Sequence, residues 1–138
     1  MKSVEDERDH VRTSLKEWEK FEKFAFCMFR NEDGAYMGNI DAHAIRWDLH
    51  RCEIGYWIAS EFEGNGYVAE AVRALEKDLF RIGFNRIEIR CNTKNIRSAR
   101  IPQTCGYTHE GTLRQDGLDM GKFKDTMVFG KLKSERRK

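Results

Sequence analysis

Between residues 53 and 91 a strand, a glycine-rich turn, a one-faced helix and a second strand follow one another without interruption. No other feature limits the fold as much. Glu53-Ile54-Gly55-Tyr56-Trp57-Ile58 reads as a strand, and Gly64-Asn65-Gly66 comes directly after it. Val68, Val72, Leu75, Leu79 and Ile82 then step by four, three, four and three residues. That rhythm predicts a long helix from Gly66 with one apolar face, closed by Gly83. Arg86–Cys91 alternates apolar and charged residues, a strand pattern. Two strands joined through a helix of this length make a parallel βαβ crossover.

The rest of the chain reads as antiparallel. Val4, Val11, Leu15 and Trp18, with Ser3 as N-cap, predict an amphipathic helix over roughly the first twenty residues. Lys23–Arg30 is apolar and aromatic, Asn31–Gly34 is a turn, and Ala35–Ile45 returns as the second arm of a hairpin. A polar stretch leads into Cys52–Ala59. After the crossover, Asn95–Cys105 is a short helix stopped by Gly106. Strands at Tyr107–Arg114 and Phe123–Leu132 end the chain, joined by a loop rich in Gly and Asp. The expected class is α/β of the mixed α+β kind, with a mostly antiparallel central sheet, one parallel crossover and flanking helices. At 138 residues it is expected to be a single domain over residues 1–138.

Composition narrows the function. Hydrophobic residues make up 40% and charged residues 35%, with a single Pro, which excludes a disordered chain. No apolar run is long enough to span a bilayer and the first residues are charged, so a cytoplasmic protein away from the membrane is expected. Met1–Ala69 holds 9 Lys/Arg against 14 Asp/Glu, and Glu70–Lys138 holds 16 against 9. The basic half carries the helix after the glycine turn, which suits an anionic ligand there. No basic stripe is paired with stacking aromatics, so nucleic acid is not expected. Cys27, Cys52, Cys91 and Cys105 are widely spaced, and the four histidines form no ligand cluster. The cysteines read as small core residues in a reducing compartment, and no metal is implied.

A Gly-x-Gly turn running into a helix offers free backbone N–H groups and the positive end of the helix dipole, which suits phosphates. On that motif alone an ordinary helix-start turn explains it as well. Gly64-Asn65-Gly66-Tyr67-Val68-Ala69 also satisfies the dinucleotide-binding fingerprint, with Glu88 near the spacing of a ribose-binding acid. Two features argue against that fold. The preceding strand alternates and contains Glu53, unlike a doubly buried parallel strand. The other elements are a meander and a hairpin, with no repeated βαβ unit.

The chain resembles the GNAT superfamily of acetyl-CoA-dependent N-acetyltransferases, in the branch of the ribosomal-protein N-terminal (Rim-type) acetyltransferases. Glu53–Ile58, Gly64-Asn65-Gly66-Tyr67-Val68-Ala69-Glu70-Ala71 and Arg86–Cys91 carry the resemblance. Asn95-Ile96-Arg97-Ser98, Ile101-Pro102 and Gly106–Arg114 continue it in the same order, from about Trp18 onward. The departures are Glu61, where relatives commonly hold Arg or Gln, Tyr107, where many hold Phe, and a shortened N-terminal strand and helix.

The resemblance implies a site. The turn Glu63, Gly64, Asn65, Gly66 and Tyr67 would hold the pyrophosphate of acetyl-CoA. The pantetheine arm would lie between splayed parallel strands and pair with Tyr56, Ile58 and Ala59, where a backbone N–H would polarise the thioester. Glu53 would be the general base, acting through water, and Ser98 would stabilise or protonate the departing thiolate. From spacing alone a solvated strand glutamate explains Glu53. Alternation puts Glu53, Gly55 and Trp57 on one face, which predicts an aromatic wall beside the carboxylate. Asn95 would help hold the pantetheine, although it is also a good N-cap. Tyr56 and Tyr107 are reserve acids. His43 and His50 read as loop or strand-end residues, and Asp41–Arg51 and Asp116–Phe123 as acceptor loops. The acceptor would be a small amine or a protein or peptide N-terminus, and the family leaves room for a homodimer. The alternatives are a non-catalytic acyl-CoA-binding module, or an incomplete domain that pairs with a partner chain through an exposed sheet edge.

Overall fold

The structure, a computed structural model, describes residues 23–136. The helix predicted over the first twenty residues lies outside them. Six strands form one sheet: β1 Phe24–Phe29, β2 Tyr36–Arg46, β3 Arg51–Ile58, β4 Arg86–Asn92, β5 Thr108–Asp119 and β6 Lys122–Leu132. Helix α1 spans Tyr67–Arg81 and α2 spans Ile96–Thr104. The spatial order is β1-β2-β3-β4-β6-β5, and β3 with β4 is the parallel pair. The expected architecture is therefore present.

The helix stripe does what its spacing predicts. Val68, Val72, Leu75 and Leu79 are buried, and with Phe80 they join one core with Ile40, Ala42, Ile54, Ile87, Ile89 and Phe129 of the sheet. Each such side chain contributes about 1.5–3 kcal/mol on burial, so this stripe fixes α1 on one face of the sheet. Ile82 departs from the expectation: it is half exposed, at the C-cap after Arg81. Phe84 is wholly buried and stacks on Trp47, with ring centroids 4.6 Å apart. Cys52, Cys91 and Cys105 are buried free thiols, as expected, and Cys27 is partly buried.

The arm expected over Ala35–Ile45 is present as β2, while the loop expected after Arg114 is largely strand. β2 runs on through Arg46, leaving only a 3-10 turn, Trp47–Leu49, and His50 before β3. β5 runs to Asp119 and turns at Met120 and Gly121 into β6. A bulge explains the overrun of β5, and β2 carries one as well. The β2–β3 register shifts between His43 and Arg46 with Ala44 at φ 50°, and the β5–β6 register shifts between Leu113 and Gly117 with Gln115 at φ 52°. A bulge adds an unpaired residue and breaks the alternation by which a strand is recognised.

Candidate active site

The parallel ladder is short. β3 and β4 pair only at Arg51 with Arg86, Cys52 with Ile87, and Glu53 with Glu88. Beyond that rung β4 continues against β6 and β3 continues against β2, so the two strands part. The side of β3 that faced β4 is left without a strand partner from Ile54 onward. Ala59 N–H donates to Met37 O at 2.8 Å, on the β2 side. By alternation the N–H groups of Tyr56 and Ile58 point into the split.

A cleft of about 810 Å³ opens there, between the end of β3, the first turn of α1 and α2. Tyr56, Ile58, Glu63, Gly64, Gly66, Tyr67, Asn95 and Ser98 line it, so eight of the predicted residues meet. Ala59 does not line the cleft, and its N–H is already used by Met37. Asn65 braces the turn from behind, its Nδ2 donating to Phe62 O at 3.1 Å and Glu63 O at 3.2 Å.

Gly64 and Gly66 sit at φ 81° and 78°, a left-handed geometry that costs other residues roughly 1–2 kcal/mol. A Cβ at either would meet nothing within 4 Å, so both face open space. Gly66 is the N-cap of α1 and no side chain caps that end. The first-turn N–H groups therefore point unclaimed into the cleft, an anion site built from backbone. Arg97 and Arg100 add positive charge to the lining, and Arg97 pairs with Glu63 across the mouth.

On the far wall, α2 begins at its predicted cap: Asn95 Oδ1 accepts from Ser98 N–H at 3.1 Å. Pro102 lies inside this helix and has no N–H, so it cannot bond the carbonyl four residues earlier, which is that of Ser98. Tyr56 fills the vacancy, donating its hydroxyl to Ser98 O at 2.9 Å, with Cys91 Sγ at 3.8 Å from the same oxygen. Ser98 Oγ stands 3.4 Å from Tyr56 Oη. Burial pushes the Tyr56 phenol well above its ordinary range, with Cys91 adding to the effect and the Ser98 contact opposing it. Burial likewise raises the Cys91 thiol. Tyr56 is thus held as a proton-bearing phenol beside Ser98.

Tyr107 is not in this cleft. It is buried behind α1, donating to Glu76 Oε1 at 3.0 Å. Burial raises its phenol steeply, and the neighbouring Glu76 adds to that. Glu53 stands on the last rung of the ladder, on the sheet face away from α1. An aromatic wall was expected beside it, yet its Oε1 lies 3.7 Å from both Arg90 Nε and His43 Nε2. Trp57 shares the face but is more than half exposed. His43, read from sequence as a loop or strand-end residue, is a strand partner of Glu53. The signal lay in Asp41-x-His43, two side chains on one strand face, which the bulge after His43 obscured. Among the described residues no group of His, Cys, Asp and Glu could hold a metal ion, and no helix is long and apolar enough to cross a membrane.

Known proteins resemble this chain in sequence and in fold. The putative ribosomal N-acetyltransferase YdaF of Bacillus subtilis is 37% identical over 105 residues, covering 75% of this chain and 57% of its own length. The chain thus spans little more than half of that relative. The crystal structure of a probable acetyltransferase superposes with a TM-score of 0.84 at 28% identity, covering 91% of this chain and 70% of that one. RimL, a ribosomal L7/L12 α-N-protein acetyltransferase in complex with coenzyme A, shares the fold with a TM-score of 0.80 at 24% identity, covering 94% and 73%. Residues 1–108 match the Acetyltransferase (GNAT) domain. With that match running through the glycine turn, the split strands and α2, the chain belongs to the GNAT acetyltransferase family.

Proposed function

We propose that this chain is an acetyl-CoA-dependent N-acetyltransferase that transfers an acetyl group from a thioester to a primary amine, with a protein N-terminal amine as acceptor. The observation that carries this reading is the parting of β3 from β4 beyond Glu53, at a cleft that ends on the uncapped start of α1. The cleft fits acetyl-CoA in three ways. Backbone N–H groups around Gly64 and Gly66 match a pyrophosphate, Arg97 and Arg100 match its charge, and the unpaired side of β3 matches an amide-bearing arm. When bound, acetyl-CoA supplies the activated acyl group.

The protein's own residues do the rest. The N–H groups of Tyr56 and Ile58 are aimed to bind a developing oxyanion. Glu53 takes a proton from the acceptor ammonium, directly or through a water. Tyr56, with Ser98 beside it, stabilises and protonates the sulfur that leaves. Tyr56 therefore joins Ser98 as the acid, and Tyr107 is left out. The names of YdaF and RimL support a ribosomal or other protein acceptor. The reading includes a single domain over residues 1–138, cytoplasmic action and a homodimer.

Calorimetric titration with acetyl-CoA, using Gly66→Trp as control, tests the cofactor site. Release of free thiol across a panel of peptides and amines tests transfer. Glu53→Gln is expected to lower turnover about a hundredfold, and Ser98→Ala or Tyr56→Phe about tenfold. A folded chain that binds no acetyl-CoA refutes the proposal. Binding without transfer to any acceptor leaves a non-catalytic module.

A further inference from the structure

Beside Glu53 stand two residues that the mechanism above does not use, Asp41 and His43 of β2. His43 Nδ1 lies 2.6 Å from Asp41 Oδ1. A carboxylate can only accept, so Nδ1 carries the proton and donates it. That fixes the tautomer and leaves the Nε2 lone pair of the neutral ring facing Glu53 Oε1 at 3.7 Å. A lone pair cannot face a carboxylate comfortably without a shared proton or a bridging water. The three residues thus form a line in which a proton has somewhere to go.

The backbone is shaped around that line. Asp41 pairs with Gly55 and His43 with Glu53 across β2 and β3. At Gly55 any side chain would intrude, since a Cβ there would lie 2.9 Å from His43 Cε1 and 3.1 Å from Asp41 Oδ1. Directly after His43 the strand bulges at Ala44, which has positive φ. Glycine opposite and bulge behind let the imidazole lie against Asp41 while still reaching Glu53.

Resting on the acetyltransferase reading, we propose that Asp41, His43 and Glu53 form a proton relay that exports the acceptor's proton, with His43 acting through Glu53 as a positioning and proton-accepting residue. The balance of the reaction requires such an exit. An ammonium nitrogen loses two protons on becoming an amide; one replaces the acetyl group on sulfur and the other must reach solvent. Glu53 takes the second and passes it to His43 Nε2. The imidazolium, held by Asp41, then releases a proton from a ring nitrogen to water, 40% of the side chain being accessible.

The charged groups facing His43 set the sign of its pH response. Asp41 on its own strand raises its pKa most, burial opposes this, and Glu53 of β3 raises it further. Lys23, 3.9 Å from Asp41, lowers it. From β4, Arg90 competes for Glu53 and is itself balanced by Glu88 at 3.3 Å and by Asp116 of β5 at 4.0 Å. The net direction is upward from 6.5. Relay function needs neutral His43, so the rising limb of kcat/KM should lie above the midpoint of an unperturbed histidine.

The test uses the full chain. Histidine NMR titration follows His43 in wild type, Gly55→Ala and Glu53→Gln, and requires no acceptor. Gly55→Ala removes no titrating group but pushes the ring away from Asp41. In both variants the His43 midpoint is expected to fall toward 6.5. In acetyl transfer to the best acceptor peptide, Gly55→Ala should move the rising limb of kcat/KM to lower pH. His43→Gln should abolish that limb and lower plateau kcat about tenfold, with acetyl-CoA affinity unchanged in both variants. A His43 midpoint indifferent to Gly55→Ala and Glu53→Gln overturns the relay, as does a His43→Gln profile superimposing on wild type. A coupled His43 in a chain that never releases CoA would instead refute the acetyltransferase reading.

Discussion

Lys131→Met should destabilise the protein far more than a single β6 substitution ordinarily does. Lys131 Nζ is bonded to Glu76 Oε2 of α1 at 2.7 Å and to the Cys105 carbonyl, at the C-cap of α2, at 2.9 Å. Its side chain is 9% exposed and that of Glu76 5%. One ammonium therefore ties both helices that line the cleft to the sheet. Removing one partner of a buried pair costs about 3–5 kcal/mol, because the other charge stays behind. Glu76 keeps the Tyr107 hydroxyl at 3.0 Å, which places the loss near the lower end, about 3 kcal/mol. For a chain of this size that lowers Tm by about 10 °C. Equilibrium urea unfolding at unchanged m measures it. The triple variant Glu76→Leu, Lys131→Met, Tyr107→Phe removes all three polar side chains together and should return to within about 2 kcal/mol of wild type. A single variant that loses less than about 1 kcal/mol, or a triple variant less stable than the single, would refute the argument that the uncompensated carboxylate is the cost.

Two further substitutions probe the cleft. Gly66→Ala should cost about 1 kcal/mol of stability from its positive φ and raise the acetyl-CoA dissociation constant at least about tenfold by calorimetry, since its Cβ would occupy space open to the cleft; unchanged affinity would count against a backbone phosphate site. Pro102→Ala restores an N–H that competes for the Ser98 carbonyl, so Tyr56 should lose its anchor; kcat should fall about fivefold, the worth of one such hydrogen bond, at constant KM for acetyl-CoA, and an unaltered kcat would remove Tyr56 from the acid role.

Local patterns carried most of the fold. The α1 stripe, the alternation of Arg86–Cys91 and the Asn95 cap each depend on residues within a turn or two of one another, so periodicity finds them. Long-range consequences were harder to read. Glu53 and Trp57 do share a face, but what covers Glu53 is set by His43 and Arg90, brought in from neighbouring strands by register. Tyr107 looked like an acid until its partner Glu76 placed it behind α1. The strand after Arg114 was misjudged as loop because the bulge at Gln115 interrupts alternation without ending the strand. Tyr56 was legible as a candidate, but its anchoring required Pro102, forty-six residues away in sequence, to be read as a missing donor inside α2.

Three backbone deficits meet at the cleft, and each has a different cause. β3 lacks a partner past Glu53 because β4 turns toward β6. The start of α1 lacks a side-chain cap because its N-cap is Gly66. The Ser98 carbonyl lacks its helical donor because residue 102 is proline. A backbone group left without a partner costs roughly 1–3 kcal/mol once it is buried, so whatever covers these groups must satisfy them. Tyr56 satisfies the third from within the protein. The start of α1 offers N–H donors and the free edge of β3 offers both N–H and C=O groups, so together they suit a ligand with an anion at one end and amides, which donate and accept, along its length. That requirement follows from the main chain alone, while in the mechanism proposed above the side chains that meet the acceptor lie on the other face of the sheet, around Glu53 and His43. Cofactor recognition and acceptor chemistry are therefore separable: substitutions at Gly66 should act on the first without moving the His43 titration, and Gly55→Ala on the second without moving acetyl-CoA affinity.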